Sequence, residues 1–327
     1  MRNFIIILFV CTIFGCKETQ DQNQQNLDDK KPWFFWSVDW HPTEDMIAVG
    51  GSNDTFLKIL STSDFKDIKH LPYNGTITKT KWHPSENKLA FSVQDGKSKS
   101  AIFDLEATTL IQLDSITNAG ARGLGWNYTG ELLAVGDNSG HLVIFDDNGK
   151  FLKIIDTGEK GLMGLDWHPK ENLLVAVGDN VIIYNYELDS LKIIKDRTEE
   201  IEVLMLCVAW HPSGGFFVTG DYGDFQNNYP PLLQYWTYNG QKMKSIEKSK
   251  AEYRNLRWSP NGLILATASE KIRLWDQYGA ILAEGEASDL LWGIDWNANG
   301  IRLVTTDDQG KIIFSDSNLN KVKELEY

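Results

Sequence analysis

Along this chain, apolar and β-prone residues run up to a tryptophan, a polar dipeptide interrupts them, and a second apolar run ends in glycine. The first copy is Ser37-Val38-Asp39-Trp40-His41-Pro42, followed by Met46-Ile47-Ala48-Val49-Gly50. Such a pattern predicts strand, tight turn, strand. It is written seven times, with its tryptophan at Trp40, Trp82, Trp126, Trp167, Trp210, Trp258 and Trp296, at gaps of 42, 44, 41, 43, 48 and 38 residues. A period in this range predicts stacked repeats whose units cannot bury their faces alone. Each repeat reads as four short strands: 34–40, 45–51, 56–61 and 67–71 in the first, 123–126, 132–136, 141–146 and 151–156 in the third, and 256–258, 264–269, 272–276 and 280–284 in the sixth. His-Pro and Asn-Gly pairs punctuate them, as at Asn148-Gly149 and Asn261-Gly262, and these are turn formers. No stretch of helical periodicity competes, so the class is all-β.

Three lines carry a family resemblance: Trp82-His83-Pro84 with Ile102-Phe103-Asp104, Trp126 with Ile144-Phe145-Asp146, and Trp258-Ser259-Pro260 with Leu274-Trp275-Asp276. A strand ending in Trp-His/Ser-Pro, a small-residue strand, and Ile-x-Phe/Trp-Asp resembles the WD40 repeat over residues 33–327. The resemblance implies a seven-bladed β-propeller with four antiparallel strands per blade. The Gly-His dipeptide that in that family usually precedes the innermost strand is absent from every repeat, so no complete His–Asp tetrad is expected, and the blades are expected to lean on apolar packing. Turn aspartates remain at Asp54, Asp95, Asp137 and Asp179. Lys321–Tyr327 already supplies a seventh outer strand. Each blade is therefore expected to be one contiguous segment, with blade 1 closing on blade 7 by face packing. That seam is expected to open first.

The start of the chain differs in kind. Met1-Arg2-Asn3 precedes an apolar run over 4–14, too short to span a bilayer of about 30 Å but of signal-peptide length. Gly15-Cys16 then resembles a bacterial lipobox. By that resemblance 1–15 is a signal peptide and Cys16 the lipidation site, and Lys17 favours the outer membrane of a Gram-negative bacterium. An ordinary signal peptide with an incidental cysteine, or an intracellular scaffold with no true leader, are the alternatives. Residues 16–32 are polar and predict a flexible tether with a reach of about 20 Å.

Composition narrows the functions. A formal net charge of −13 argues against nucleic acid and against contact with anionic lipid beyond the anchor. Three cysteines with no CxxC give no disulfide framework or zinc motif, and Cys207 reads as a small core residue. Four of the six histidines, His41, His83, His168 and His211, sit in Trp-His-Pro turns. Spread around a ring, they cannot converge on a metal. Asp307-Asp308-Gln309-Gly310 reads as a turn rather than a calcium loop. No nucleophile motif or phosphate loop occurs. No catalytic residue, metal or cofactor is expected.

What remains is surface. Four residues before each repeat tryptophan stand Trp36, Thr78, Arg122, Met163, Leu206, Arg254 and Trp292, on the rim where WD40 proteins resemble one another in binding partners. Tryptophan and arginine are hot-spot residues; packing beneath the seam is the alternative reading. The fifth repeat expands a turn on the same rim into Asp221-Tyr222-Gly223-Asp224-Phe225-Gln226-Asn227-Asn228-Tyr229-Pro230-Pro231, an aromatic loop of recognition type. The expected partner-binding residues are Trp36, Arg122, Arg254, Trp292, Tyr222, Phe225 and Tyr229, and the expected partner is a protein or peptide. A channel enzyme or small-ligand binder is the rival. It requires titratable groups converging on the axis.

Overall fold

The computed structural model describes residues 34–327 apart from 53–55, 96–97, 117–118, 197–202 and 287–289. The expected signal peptide 1–15, the lipidation site Cys16, the tether 16–32 and the turn residue Asp54 lie outside the described residues. The described strands belong to one compact unit, Pro32–Tyr327.

Seven sheets of four antiparallel strands follow one another along the chain, each built from consecutive strands. The first strands of the blades are Phe34–Trp40, Ile77–Trp82, Ala121–Trp126, Gly164–Trp167, Met205–Trp210, Asn255–Trp258 and Leu291–Trp296. Each packs against the first strand of the next blade, and the last against the first. They therefore ring a central axis, and the protein is a seven-bladed β-propeller of WD40-like build. Burial follows from this placement. First strands lie between two neighbours and are buried almost throughout, whereas outermost strands such as Asp67–Pro72 and Phe151–Asp156 alternate with solvent. Among the described residues the ring closes without strand exchange, as expected from the contiguous blades.

There is no single core. Seven apolar clusters each join two neighbouring blades, and each takes in the repeat tryptophan of the later blade. Met46, Ala48 and Ile59 meet Ile77, Trp82 and Phe91 between blades 1 and 2. Phe35, Trp40 and Val49 meet Val304, Ile312 and Phe314 at the closing seam. This explains the repeat: a lone four-stranded sheet leaves both faces wet, and burying one large apolar side chain contributes roughly 1.5–3 kcal/mol.

Cohesion is less purely apolar than expected, because the Trp-His-Pro histidines do more than form turns. The Nδ1 of His83 accepts the Ser85 and Glu86 amides at 3.2 and 3.0 Å, and its Nε2 lies 3.1 Å from the Gly130 carbonyl of the next blade. Its ring stands edge-on to Trp126. His168 and His211 repeat this with Gly214 and Gly262. The receiving position needs glycine twice over: Gly130 sits at φ +83°, and a Cβ there would lie 2.1 Å from His83 Nε2.

Candidate functional site

The rim residues are aimed by a local irregularity. In blades 1, 2, 3, 5 and 7 the pairing of the first two strands skips one residue, and the skipped residues are Trp36, Thr78, Arg122, Leu206 and Trp292. A bulged residue has no opposite number and its side chain is re-aimed. Met163 and Arg254 hold the corresponding places just ahead of shorter first strands. All seven side chains converge on one cavity of about 50 Å3 at the channel mouth.

Across that mouth runs a continuous row of rings and guanidinium groups. Tyr222 lies 5.7 Å from the Arg254 guanidinium, which sits 3.9 Å over Trp292. Trp292 packs on Trp36 at 4.3 Å between ring centroids, and Arg122 lies 5.6 Å over Trp36. Phe34 braces both indoles at 5.4 and 4.9 Å. Arg254 pairs with Glu252, but among the described residues its buried Nε has no hydrogen-bond partner, and neither has the buried indole Nε1 of Trp292. An unmet buried donor costs about 1–3 kcal/mol. Among the described residues Arg122 has no carboxylate partner. Its Nε donates to the neutral Gln94 amide at 2.6 Å and its Nη1 approaches the Met163 sulfur at 3.6 Å. Burial, then the neighbouring Arg254 charge, lowers the Arg122 pKa.

Deeper in the channel lies a second charged layer that sequence reasoning missed. The residue before the repeat tryptophan is charged in five repeats: Asp39, Lys81, Asp166, Arg257 and Asp295. Asp39 pairs with Lys81 and, at 3.1 Å, with Arg257, whose Nε donates to Asp295 at 2.9 Å. Burial would lower the Arg257 pKa, but Asp295 and Asp39 outweigh it and hold it above its ordinary value. Asp39, Asp166 and Asp295 also accept the backbone N–H of Trp82, Trp210 and Trp40 in the following blades at 2.7–2.8 Å. Asp166 has no salt-bridge partner among the described residues, and burial pushes it up to about 7. Lys79 reaches across the axis to the Asn255 side chain at 3.1 Å. Burial, then Arg257, lowers its pKa. Cys207 is buried, and burial pushes its thiol up to about 12.

Of the expected partner-binding residues, Trp36, Arg122, Arg254, Trp292 and Tyr222 are thus brought together. Phe225 and Tyr229 are not part of the row. The long loop folds on itself, with Asp224 capping a short 3-10 turn at Phe225–Asn227 and pairing with Tyr229 through the backbone. Phe225 is left 54% exposed and Tyr222 47% exposed on the same rim. A wider groove of about 620 Å3 runs between blades 6 and 7, lined by Ile272, Asp307, Lys311, Leu319 and Glu324. There both charge signs are present, and Lys321 pairs with Glu324 at 2.7 Å. Among the described residues no group of three His, Cys, Asp or Glu side chains is placed to hold a metal, and no helix is long and apolar enough to cross a membrane.

A family model described as eukaryotic translation initiation factor eIF2A, a family of WD40-like propellers, matches residues 38–180. The match falls on blades 1 to 3 and the start of blade 4, fewer than half of the 327 residues. It covers the repeat and omits the fifth-blade loop. No curated protein matches the chain.

Proposed function

We propose that this propeller is a non-catalytic binding platform that presents its channel mouth to a protein or peptide, and that Cys16 lipidation tethers it at the bacterial cell envelope, in the outer membrane. The observation that carries the first part is the row Tyr222–Arg254–Trp292–Trp36–Arg122. Rings and cations are stacked at the rim with hydrogen-bond donors left unmet among the described residues, on first strands that are buried almost throughout. Rigid aromatic anchors bind with little loss of conformational entropy. The test is crosslinking in intact cells followed by purification. The triple variant Trp36→Ala, Arg254→Ala, Tyr222→Ala should lose the captured partner, and unchanged capture refutes the assignment.

The anchor rests on the leader and is tested separately. Palmitate labelling of the intact protein should disappear in Cys16→Ala. Persistent labelling, or none in either protein, removes the envelope assignment and favours the intracellular scaffold, to which the translation-factor family match lends support.

A second reading has its own observation. Titratable groups do converge in the channel, and Asp166 is shifted to about 7, as a small-ligand or enzymatic site would require. Against it, ligand pockets usually occupy about 300–1,000 Å3 and the cavity here is about 50 Å3. The carboxylates are also engaged in holding neighbouring blades. A thermal-shift screen of small metabolites separates the two: a ligand whose effect vanishes in Asp166→Asn favours the channel.

A further inference from the structure

We propose that the channel mouth is a carboxylate socket: the partner inserts one acidic group, from a side chain or a chain terminus, between Arg122, Arg254 and the Trp292 indole N–H, and lays neighbouring apolar residues on the aromatic row. This deepens the platform reading and rests on it.

The charge arrangement points to an anion. Among the described residues the cavity is lined by Lys79, Arg122 and Arg254 and by no acidic side chain, in a chain whose net charge is −13. Arg122 meets no carboxylate among the described residues and Arg254 pairs only with Glu252, a local reversal of the whole. Glu252 engages Arg254 through Nη2, and among the described residues neither Arg254 Nε nor the indole Nε1 of Trp292, whose ring lies 3.9 Å from that guanidinium, has a partner. Arg122 adds a guanidinium held only by a neutral amide, a sulfur and an indole face. Planar guanidinium forks match a carboxylate with two parallel hydrogen bonds. The Trp36 and Trp292 faces wall the site, and exclusion of water strengthens such bonds. An anion here would also relieve what lowers the Arg122 pKa, namely burial and then its neighbour Arg254.

Size sets the class of ligand. A cavity of about 50 Å3 has room for a few waters or one carboxylate, not for a free amino acid or sugar. The remaining contact must come from outside it, from residues that reach Tyr222 and Phe225, both exposed on the rim. A peptide segment with an acid flanked by apolar side chains fits both parts.

The test uses the full-length protein and defined peptides. Acetyl-Gly-Leu-Phe-Glu-Phe-Leu-Gly amide, its Gln and Lys counterparts, and acetyl-Gly-Leu-Phe as the free acid are titrated. Binding is followed by tryptophan fluorescence and by the indole N–H resonances of Trp36 and Trp292. At least one of the two acids should bind about tenfold more tightly than the Gln peptide, moving the Trp292 indole signal, and Arg122→Gln should lose that preference while Arg122→Lys keeps part of it. The thermal midpoint of each variant checks folding. Whichever acid binds better identifies side chain or terminus as the source. Equal binding of the Glu, Gln and Lys peptides, no binding by either acid, or an acid preference untouched in Arg122→Gln overturns the socket. If partner capture in cells is still lost in the Trp36/Arg254/Tyr222 triple variant, the platform reading stands without it; if capture also persists there, both fall.

Discussion

The mouth and the throat of the channel are built from the same seven strands, three residues apart along each, yet they hold charge in opposite ways. In the throat, Asp39, Lys81, Arg257 and Asp295 compensate one another, and the carboxylates also accept the N–H of the next blade's tryptophan. In the mouth, Arg122 and Arg254 face indole rings and each other, and donors are left unmet. Charge in a propeller centre is thus not one feature. Where it is paired and tied to a neighbouring blade it stabilises the ring, and where a bulge turns it outward without a carboxylate, as at Arg122, it is the charge proposed to serve a partner.

Breaking the throat should have the largest effect on stability. Arg257→Met leaves Asp39 and Asp295 facing each other, and removal of one partner from a buried pair costs about 3–5 kcal/mol. The urea midpoint should fall accordingly, and an unchanged midpoint would make the layer ornamental. His83→Ala should cost about 2 kcal/mol in the same assay, since it removes two turn bonds and the link to Gly130.

Asp166 sharpens the comparison through pH. Its folded pKa, about 7, lies above the unfolded value of roughly 3.9. The stability it contributes is therefore full below pH about 4 and is lost as pH rises through about 7. Asp166→Asn should be more stable than the parent by about 1–2 kcal/mol at pH 8, with the difference vanishing near pH 4. A constant difference would mean that Asp166 ionises normally. His41, His83 and His211 act in the opposite sense. Burial lowers their pKa, so their contribution is present above pH about 6.5 and is lost as pH falls through the folded value. Smallest of all, Arg122→Gln in the mouth should lower the unfolding free energy from urea titration by less than about 1 kcal/mol, having no ion pair to lose.

What the sequence made legible was whatever repeats. Tryptophan spacing and turn pairs placed the strands to within a few residues, and the fourth position before each tryptophan located the mouth. Contacts across the axis were not legible. Lys79 meets Asn255 at a separation of 176 residues and Asp39 meets Arg257 at 218, and no local pattern ties such pairs together. The charged residue before five of the seven tryptophans was the available signal. The turn role of the histidines was legible, but the second bond of His83, His168 and His211 was not, for the same reason: it reaches into the next blade. The seam comparison is still a matter for amide exchange. The 7–1 boundary has a full apolar cluster, with Phe35 edge-on to Tyr327 and Lys58 over the same ring, but Asn297 stands in blade 7 where blades 2, 4 and 5 carry the bridging histidine, as Asn127 and Ser259 do in blades 3 and 6. Exchange fastest at that boundary fits the expected weak seam, and equal protection at all seven removes it.

The division of labour is tested most directly by photocrosslinking in cells, with a photoreactive residue at position 222 on the mouth rim and, separately, at 188 on the outer edge of blade 4, where Leu188 is also exposed. The account predicts a discrete crosslinked species from 222 and none from 188. The same species from both, or from 188 alone, would contradict it.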